Sequence, residues 1–178
     1  MIALPEQRVA LVVGDVMGHG VSAAASMGRL RITAKALARH DQEPEELLTE
    51  LDQCAQEAGI ELATCLYIRY DPVTGHTRIA SAGHPPPLLR YPDGRTEIVD
   101  EVLGVPLGVG GCPYRSTEIG LPDDTTLVLY TDGLIEARGQ DIDEGLTALR
   151  TELGRLPDSL EAAARPYPRP PRTELPGR

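Results

Sequence analysis

The apolar and polar positions of this chain predict an early strand, two helices and then a series of strands. Residues 9–15 form a short, nearly unbroken apolar run that is typical of a buried strand. From residue 18 to about residue 39, apolar positions recur at spacings of three, four and seven, which predicts a helix. The buried face of that helix is predicted to carry Val21, Ala24, Ala25, Gly28 and Ile32.

A second helix is predicted to begin at residues 43–46, which read Glu-Pro-Glu-Glu. Proline is favoured in the first turn of a helix, and acidic side chains are stabilised near its positive end. Gly59 marks the predicted end of this helix. Its predicted buried stripe consists of Leu47, Leu51, Cys54 and Ala58.

The region after the second helix alternates between strand patterns and turn signals. Turn residues occupy positions 71–75 and 92–94, and a last helix is predicted over residues 143–153. This order of elements, a strand, two helices and then a run of antiparallel strands, predicts an α+β fold. The predicted strands cover residues 62–70, 76–82, 87–91, 95–99, 114–121 and 126–131.

Length and composition indicate an ordinary globular domain. The chain has 178 residues, a hydrophobic fraction of 41% and a net charge of −10. Such an acidic chain argues against nucleic acid or an anionic membrane surface as a partner. No signal peptide or transmembrane run is visible, and Cys54, Cys65 and Cys112 have no metal-ligand spacing. We therefore expect a cytoplasmic protein whose three cysteines are reduced and lie in the core.

Two short acidic segments carry the candidate chemistry. The first is residues 14–20, Gly-Asp-Val-Met-Gly-His-Gly, and the second is residues 130–134, Tyr-Thr-Asp-Gly-Leu. Each places one carboxylate, Asp15 or Asp132, beside glycine at the end of an apolar run. Carboxylates in such turns are suited to a hard divalent cation. The two segments together predict one metal site and a metal-dependent hydrolase.

The first segment, followed by an alanine-rich helix, resembles the signature of the metal-dependent Ser/Thr protein phosphatases, the PPM family. The similarity is to its bacterial branch, typified by the stage II sporulation E phosphatase and the stress-response phosphatases. Three further segments resemble that branch in the same order. They are residues 80–88 (Ala-Ser-Ala-Gly-His-Pro-Pro-Pro-Leu), 103–108 (Leu-Gly-Val-Pro-Leu-Gly) and 129–137 (Leu-Tyr-Thr-Asp-Gly-Leu-Ile-Glu-Ala).

This resemblance implies a sandwich of two antiparallel sheets flanked by helices, in the layer order α-β-β-α. It also implies two Mn²⁺ or Mg²⁺ ions that activate water to attack a phosphoserine or phosphothreonine. Asp15 would bridge the ions, the Val16 carbonyl would complete one shell, and Asp132 would bind the other ion. The implied substrate is a phosphorylated regulatory protein of stress or developmental signalling, such as an anti-sigma-factor antagonist.

The chain departs from the family pattern at both ends. Family members carry one more aspartate in a Gly-Gly-Asp segment before the first acidic strand, and another in an Asp-Asp-x-Thr segment near the end. Neither is matched, and we interpret residues 123–125 as a turn. The expectation is therefore a phosphatase domain over residues 1–155, truncated at both ends and lacking edge strands. A Pro/Arg-rich tail, disordered or extended, is expected over residues 156–178.

Two functions remain open on these residues. The domain is either an active phosphatase with weakened metal binding, or a degenerate phosphatase domain that binds a phosphoprotein or regulator without turnover. Open sheet edges would also favour a homodimer. Among the other polar residues, His19 is interpreted as a turn residue near the site and His84 as fixing a loop. Arg29 and Arg31 could meet phosphate but are interpreted as solvated helix residues.

Overall fold

A computed structural model describes residues 1–101, 103–136 and 141–156 of the chain. The predicted tail covers residues 156–178, and all of it except residue 156 lies outside the described residues. The helices are α1 (Gly20–Ala38), α2 (Pro44–Glu57) and α3 (Ile142–Arg155). The strands are β1 (Ile2–Ala3), β2 (Val9–Val16), β3 (Ala63–Tyr70), β4 (His76–Ala82), β5 (Leu88–Arg90), β6 (Thr96–Ile98), β7 (Ser116–Gly120) and β8 (Thr126–Val128).

The strands form two antiparallel sheets. Five strands make the first sheet in the order β1-β2-β3-β4-β7, and three make the second in the order β6-β5-β8. The β2–β3 pairing runs without interruption from Val9 opposite Tyr70 to Val16 opposite Ala63. In this register Asp15 lies directly opposite Thr64, so the first acidic segment ends beside a threonine hydroxyl.

Alternation along β3 shows how the layers are stacked. Cys65 and Tyr67 pack in one cluster with the buried side chains of α1 and α2. Leu66 and Ile68 point the other way and pack with Leu89 of the second sheet. Because side chains alternate across a strand, one strand serves both the helix layer and the interior of the sandwich.

The second sheet is covered on its outer face by α3. Leu88 of β5 packs there with Leu153 of the helix, with Tyr130 of the second acidic segment and with Ile135, which follows that segment. Buried Arg90 secures the end of α3, since its Nε donates to the Leu153 carbonyl at 2.9 Å. The layer order is therefore α-β-β-α, as predicted.

The predicted buried face of α1 is wrong. Val21 is 88% exposed and Ile32 72% exposed, whereas Leu30, Ala34 and Ala38 are buried. The buried residues lie four positions apart and all belong to the C-terminal half of the helix. Because an α-helix makes one turn about every 3.6 residues, Val21 and Ile32 lie on the opposite side of α1 from these buried residues. The side that packs into the cluster shared with α2 and the first sheet is therefore not the predicted one.

The predicted stripe of α2 is only half correct. Leu47 and Leu51 are buried, but Cys54 is half-buried and Ala58 is exposed; Leu48 and Ala55 take their places. The prediction of three core cysteines is also wrong, because Cys112 is exposed. It lies in the loop before β7, whereas Cys65 lies in a packed strand. Burial raises the pKa of the Cys65 thiol to about 12.

Two strands differ most from the predicted pattern. Strand β8 ends at Val128, three residues earlier than predicted, because the chain leaves the sheet there to approach the turn at Asp132. A short strand β1, which was not predicted, pairs with the start of β2 through Ile2 opposite Ala10. No helix of the described residues is long and apolar enough to cross a membrane.

The glycine-rich loop before β7 is fastened to both α2 and β3. Leu107 and Ala63 exchange two backbone hydrogen bonds, of 2.8 and 3.1 Å. The Gly108 amide donates to the buried carboxylate of Asp52 at 2.7 Å, and Gln56 donates to its other oxygen at 2.9 Å. These contacts hold the loop against the strand end that carries Thr64.

We expect Gly108→Ala to destabilise the fold more than Gly111→Ala. Both glycines have positive φ, +92° and +77°, so each alanine costs roughly 1–2 kcal/mol of backbone strain. A Cβ at Gly108 would also lie 2.2 Å from the Ile60 carbonyl oxygen, whereas Gly111 faces open space. The clash adds about 1–3 kcal/mol, measurable by urea denaturation. Equal losses in the two variants would contradict the packing described for this loop.

Candidate metal centre

Asp15 is exposed at the end of β2, with its backbone held in the sheet. Its amide donates to the Thr64 hydroxyl at 3.2 Å, and its own Oδ1 accepts the Val16 amide at 2.8 Å. The preceding Gly14 is required for this approach, because a Cβ there would lie 2.4 Å from the Thr64 carbonyl oxygen. The sequence Gly-Asp at a strand end therefore presents a carboxylate to solvent on a rigid backbone.

Asp132 lies at the start of a 3₁₀ turn, Asp132–Leu134. Its Oδ1 accepts the Gly133 amide at 2.8 Å, and its carbonyl accepts the amides of Ile135 and Glu136, each at 2.8 Å. The carboxylate is thus oriented by the first amide of its own turn. Like the Asp15 carboxylate, it accepts the next backbone amide, so the two carboxylates share this local hydrogen bond although one lies in a strand and the other in a turn.

His84 links the two acidic segments. Its Nδ1 lies 2.9 Å from the Thr64 hydroxyl, which also accepts the Asp15 amide. Its Nε2 lies 2.9 Å from the carbonyl oxygen of Tyr130, two residues before Asp132. The ring therefore connects the end of the β2–β3 pair to the approach to the second acidic turn.

The electrostatics of His84 place both carboxylates in its surroundings. Burial lowers the pKa of the imidazole, and the bond to the Tyr130 carbonyl and the negative charges of Asp132 and Asp15 oppose that shift. Burial is the strongest of these effects and favours the neutral ring. The two hydrogen bonds of the ring, to Thr64 and to the Tyr130 carbonyl, bring the two segments together at the same end of the sandwich.

The carboxylates of Asp15 and Asp132 are groups that a hard divalent cation prefers as ligands. Both side chains are carboxylates, and neither pairs with an arginine or lysine among the described residues. Oxygen-only donors suit Mg²⁺, Mn²⁺ and Ca²⁺. Across the same residues, no group of three or more His, Cys, Asp or Glu side chains could hold a metal. The donor set is therefore compatible but small, with two carboxylates and the nearby Val16 carbonyl.

An open cavity of about 480 Å³ adjoins Asp132. Thr64, His84 and Tyr130 form its wall nearest the acidic turn, and Glu136 and Asp143 add further negative charge. Its remaining wall is mainly apolar and includes Pro85, Pro86, Leu103, Ile135, Ile142 and Leu146.

The other polar residues singled out in the sequence lie outside this arrangement. His19 is the exposed N-cap of α1, and its side chain caps no helix amide, which agrees with its interpretation as a turn residue. Residues 123–125 form the predicted turn, in which Asp124 has a φ of 61°. Arg29 and Arg31 are exposed on α1.

Sequence reasoning missed one member of the site and undervalued another. Thr64 lies inside an apolar strand, and its position opposite Asp15 follows only from the sheet register. His84 was expected to fix a loop, and its backbone does so, because its amide and carbonyl both bond to the Ser81 hydroxyl at 3.1 Å. The Gly-His-Pro-Pro-Pro motif drew attention to His84, but it does not predict the hydrogen-bond partners of the imidazole ring.

Comparison with known proteins gives a family match over most of the chain. The profile of the family described as "Stage II sporulation protein E (SpoIIE)" matches residues 5–167. Two curated proteins of Bacillus subtilis (strain 168) are also similar. Phosphoserine phosphatase RsbP is 26% identical over 140 residues, covering 75% of this chain and 34% of RsbP. Phosphoserine phosphatase RsbU is 24% identical over 136 residues, covering 75% of this chain and 41% of RsbU.

Solved structures agree on the fold. The RsbU and RsbW domains of a Mycobacterium tuberculosis protein superpose with a TM-score of 0.80 at 32% identity, covering 86% of this chain and 44% of that one. The PP2C phosphatase domain of SpoIIE from B. subtilis gives 0.75 at 15% identity, with coverages of 88% and 47%. RsbX in complex with magnesium gives 0.60 at 18% identity, with coverages of 82% and 74%. The chain spans less than half the length of the curated relatives that it matches.

We expect His84 to make the stability of the fold depend on pH. Above its usual pKa of 6.5 the ring is neutral in both the folded and the unfolded chain. As the pH falls below 6.5, the unfolded chain gains a proton that the folded chain resists, so stability is lost. At pH 5.5 this loss is at most about 1.4 kcal/mol.

Urea denaturation in EDTA of the unmodified protein and of His84→Gln, at pH 7.5 and 5.5, checks this expectation. Glutamine does not titrate, so the variant should lose less stability between the two pH values than the unmodified protein. A larger loss in the variant would show that the folded state does not disfavour the charged ring.

Proposed function

Because the chain belongs to the stage II sporulation protein E family, we propose that it is a metal-dependent protein phosphatase acting on phosphoserine or phosphothreonine. Both curated relatives carry the name phosphoserine phosphatase. The observation that carries the proposal is the convergence of the Asp15 and Asp132 segments around one buried imidazole. That arrangement provides two oxygen donors from distant parts of the chain at one end of the sandwich.

The proposed ligands of Mn²⁺ or Mg²⁺ are the carboxylates of Asp15 and Asp132 and the backbone carbonyl of Val16. These three groups would hold the ions, and water would complete their coordination. A bound ion of this kind lowers the pKa of water and neutralises phosphoryl oxygens. These effects matter here, because a chain with a net charge of −10 repels a phosphorylated substrate unless cations intervene.

The residues of the chain have distinct parts in this proposal. Gly14 allows β2 to approach β3 closely enough for the Asp15 amide to bond to Thr64. The Gly133 amide orients the Asp132 carboxylate. The cavity beside Asp132 accepts the polypeptide that carries the phosphate, with its apolar wall in contact with residues flanking the phosphoamino acid. Binding and orientation thus come from rigid backbone at one end of the sandwich.

The proposed substrate is a phosphorylated regulatory protein rather than a small phosphate ester. An anti-sigma-factor antagonist in stress or developmental signalling is the specific candidate, in the cytoplasm. The names of the relatives and the family support this class, and an open cavity lined by apolar residues suits a polypeptide. We also propose that open sheet edges allow two copies of the chain to pair as a homodimer.

The small donor set favours a second candidate function. No group of three potential ligand side chains occurs in the described part of the chain. Fewer carboxylates weaken the binding of a divalent ion, and the second ion of a pair is the more sensitive. The alternative is therefore a degenerate phosphatase domain that binds a phosphoprotein or regulator without hydrolysing it.

We expect Mn²⁺-dependent hydrolysis of p-nitrophenyl phosphate and of a phosphoserine peptide, and we expect Asp15→Asn to reduce it at least about 100-fold. The substitution keeps the shape of the side chain but removes the charge that holds the ion. Asp124→Asn is the matched control, because this exposed turn residue has a φ of 61° that asparagine tolerates. Initial rates over a Mn²⁺ titration provide the measurement, and the control should keep the unmodified rate.

The same titration separates the two candidate functions. A folded protein that shows no turnover at millimolar Mn²⁺, but binds a phosphoserine peptide in fluorescence anisotropy, is a binding domain. Turnover that survives in Asp15→Asn would contradict the proposed site. Turnover that is lost equally in Asp124→Asn would show that the effect is not specific to Asp15.

We expect the protein to elute as a dimer in size-exclusion chromatography with light scattering. Among the described residues, the outer strands of the first sheet, β1 and β7, each pair with one neighbouring strand. Unpaired strand edges offer backbone donors and acceptors to a second copy. A mass that stays at 19.2 kDa at the highest concentration reached would contradict the proposed homodimer.

A further inference from the structure

We propose that His84 is a positioning residue for the metal centre, an inference that rests on the proposed function. Its neutral ring, carrying the proton on Nε2, ties the strand end of Asp15 to the approach to Asp132. Through these bonds it sets the separation of the two carboxylates. His84 itself contacts neither carboxylate in the hydrogen bonds described above and is not proposed as a ligand.

The hydrogen-bond partners assign the proton. A carbonyl oxygen can only accept, so the bond between Nε2 and the Tyr130 carbonyl requires the proton on Nε2. In a neutral ring Nδ1 is then an acceptor, and the Thr64 hydroxyl donates to it. The same hydroxyl oxygen accepts the Asp15 amide. The result is a directional chain from the Asp15 amide through Thr64 to His84, and from His84 to the Tyr130 carbonyl.

The surroundings hold the ring in this orientation. His84 is only 4% exposed, and its backbone is bonded on both sides to the Ser81 hydroxyl. The preceding Gly83 has a φ of +66°, and a Cβ there would lie 2.6 Å from the Pro106 ring. Because the ring is almost wholly buried, losing either bond removes the protein partner of a buried polar atom and carries a free-energy cost.

Each bond ends close to one proposed ligand. On the first side, Thr64 is opposite Asp15 in the β2–β3 register and bonds to its amide. On the second side, Tyr130 is two residues from Asp132, where β8 has already ended and no sheet pairing fixes the chain. The His84–Tyr130 hydrogen bond thus holds in place a segment that lies outside the paired strands. Groups that orient metal ligands typically alter metal affinity about 10–100-fold when removed.

A purely structural histidine would behave differently on substitution. It would lower the stability of the fold but leave the metal affinity of the folded protein unchanged. Metal affinity therefore separates the two roles, provided that it is measured on protein that is shown to be folded. This readout does not depend on turnover.

The test measures Mn²⁺ affinity by electron paramagnetic resonance of free Mn²⁺ on the full 178-residue chain. His84→Leu removes both ring bonds, His84→Gln can still donate to the Tyr130 carbonyl, and Thr64→Val removes only the hydroxyl. We expect affinity to fall at least about 10-fold in His84→Leu and less in the other two variants. His76→Leu is the control, because that histidine is exposed on β4 and pairs with Glu118; its affinity should be unchanged.

Nuclear magnetic resonance of the unmodified protein tests the proton assignment even if a variant fails to fold. Nitrogen-15 shifts should show Nε2 protonated and Nδ1 bare. A ring protonated on Nδ1, or folded His84→Leu and Thr64→Val variants with unchanged Mn²⁺ affinity, would overturn the inference and leave the proposed function intact. An unmodified protein that binds no Mn²⁺ would overturn both.

Discussion

The arrangement of the acidic site depends on the buried contact between the His84 ring and its two partners, Thr64 and the Tyr130 carbonyl. The two proposed metal ligands come from different sheets. Asp15 lies at the end of a strand of the five-stranded sheet, and Asp132 follows a strand of the three-stranded sheet. Apolar packing holds the sheets face to face but is non-directional and does not fix the position of one backbone atom. The two hydrogen bonds of the imidazole, each 2.9 Å long, are directional and therefore fix the positions of Thr64 and of the Tyr130 carbonyl relative to each other.

Much of the fold was predictable because its signals are local. Strand β4 was predicted to the residue, His76–Ala82, since the turn at residues 71–75 sets its start. The acidic Glu-Pro-Glu-Glu segment likewise predicted the start of α2. The α-β-β-α layering came from the family resemblance, and the packing of β3 toward helices on one side and the second sheet on the other confirms it.

What could not be predicted depends on relative placement. The exposed positions of Val21 and Ile32 follow from which side of α1 faces the first sheet, and the spacing of apolar residues along the helix does not decide that side. Thr64 becomes significant only through the β2–β3 register, and His84 only through the packing of the second sheet. Asp15 and Asp132 were identifiable because carboxylates beside glycine at strand ends have a recognisable chemistry. Their roles as ligands stay a prediction.

The central claim is that Asp15 and Asp132 form one oxygen-donor metal site. Crystals grown with Mn²⁺ and measured at an anomalous wavelength test it most directly. The claim predicts an anomalous peak with a carboxylate oxygen of each aspartate as a ligand, at roughly 2.0–2.3 Å. Peaks elsewhere in the molecule, with neither aspartate in contact, would contradict it.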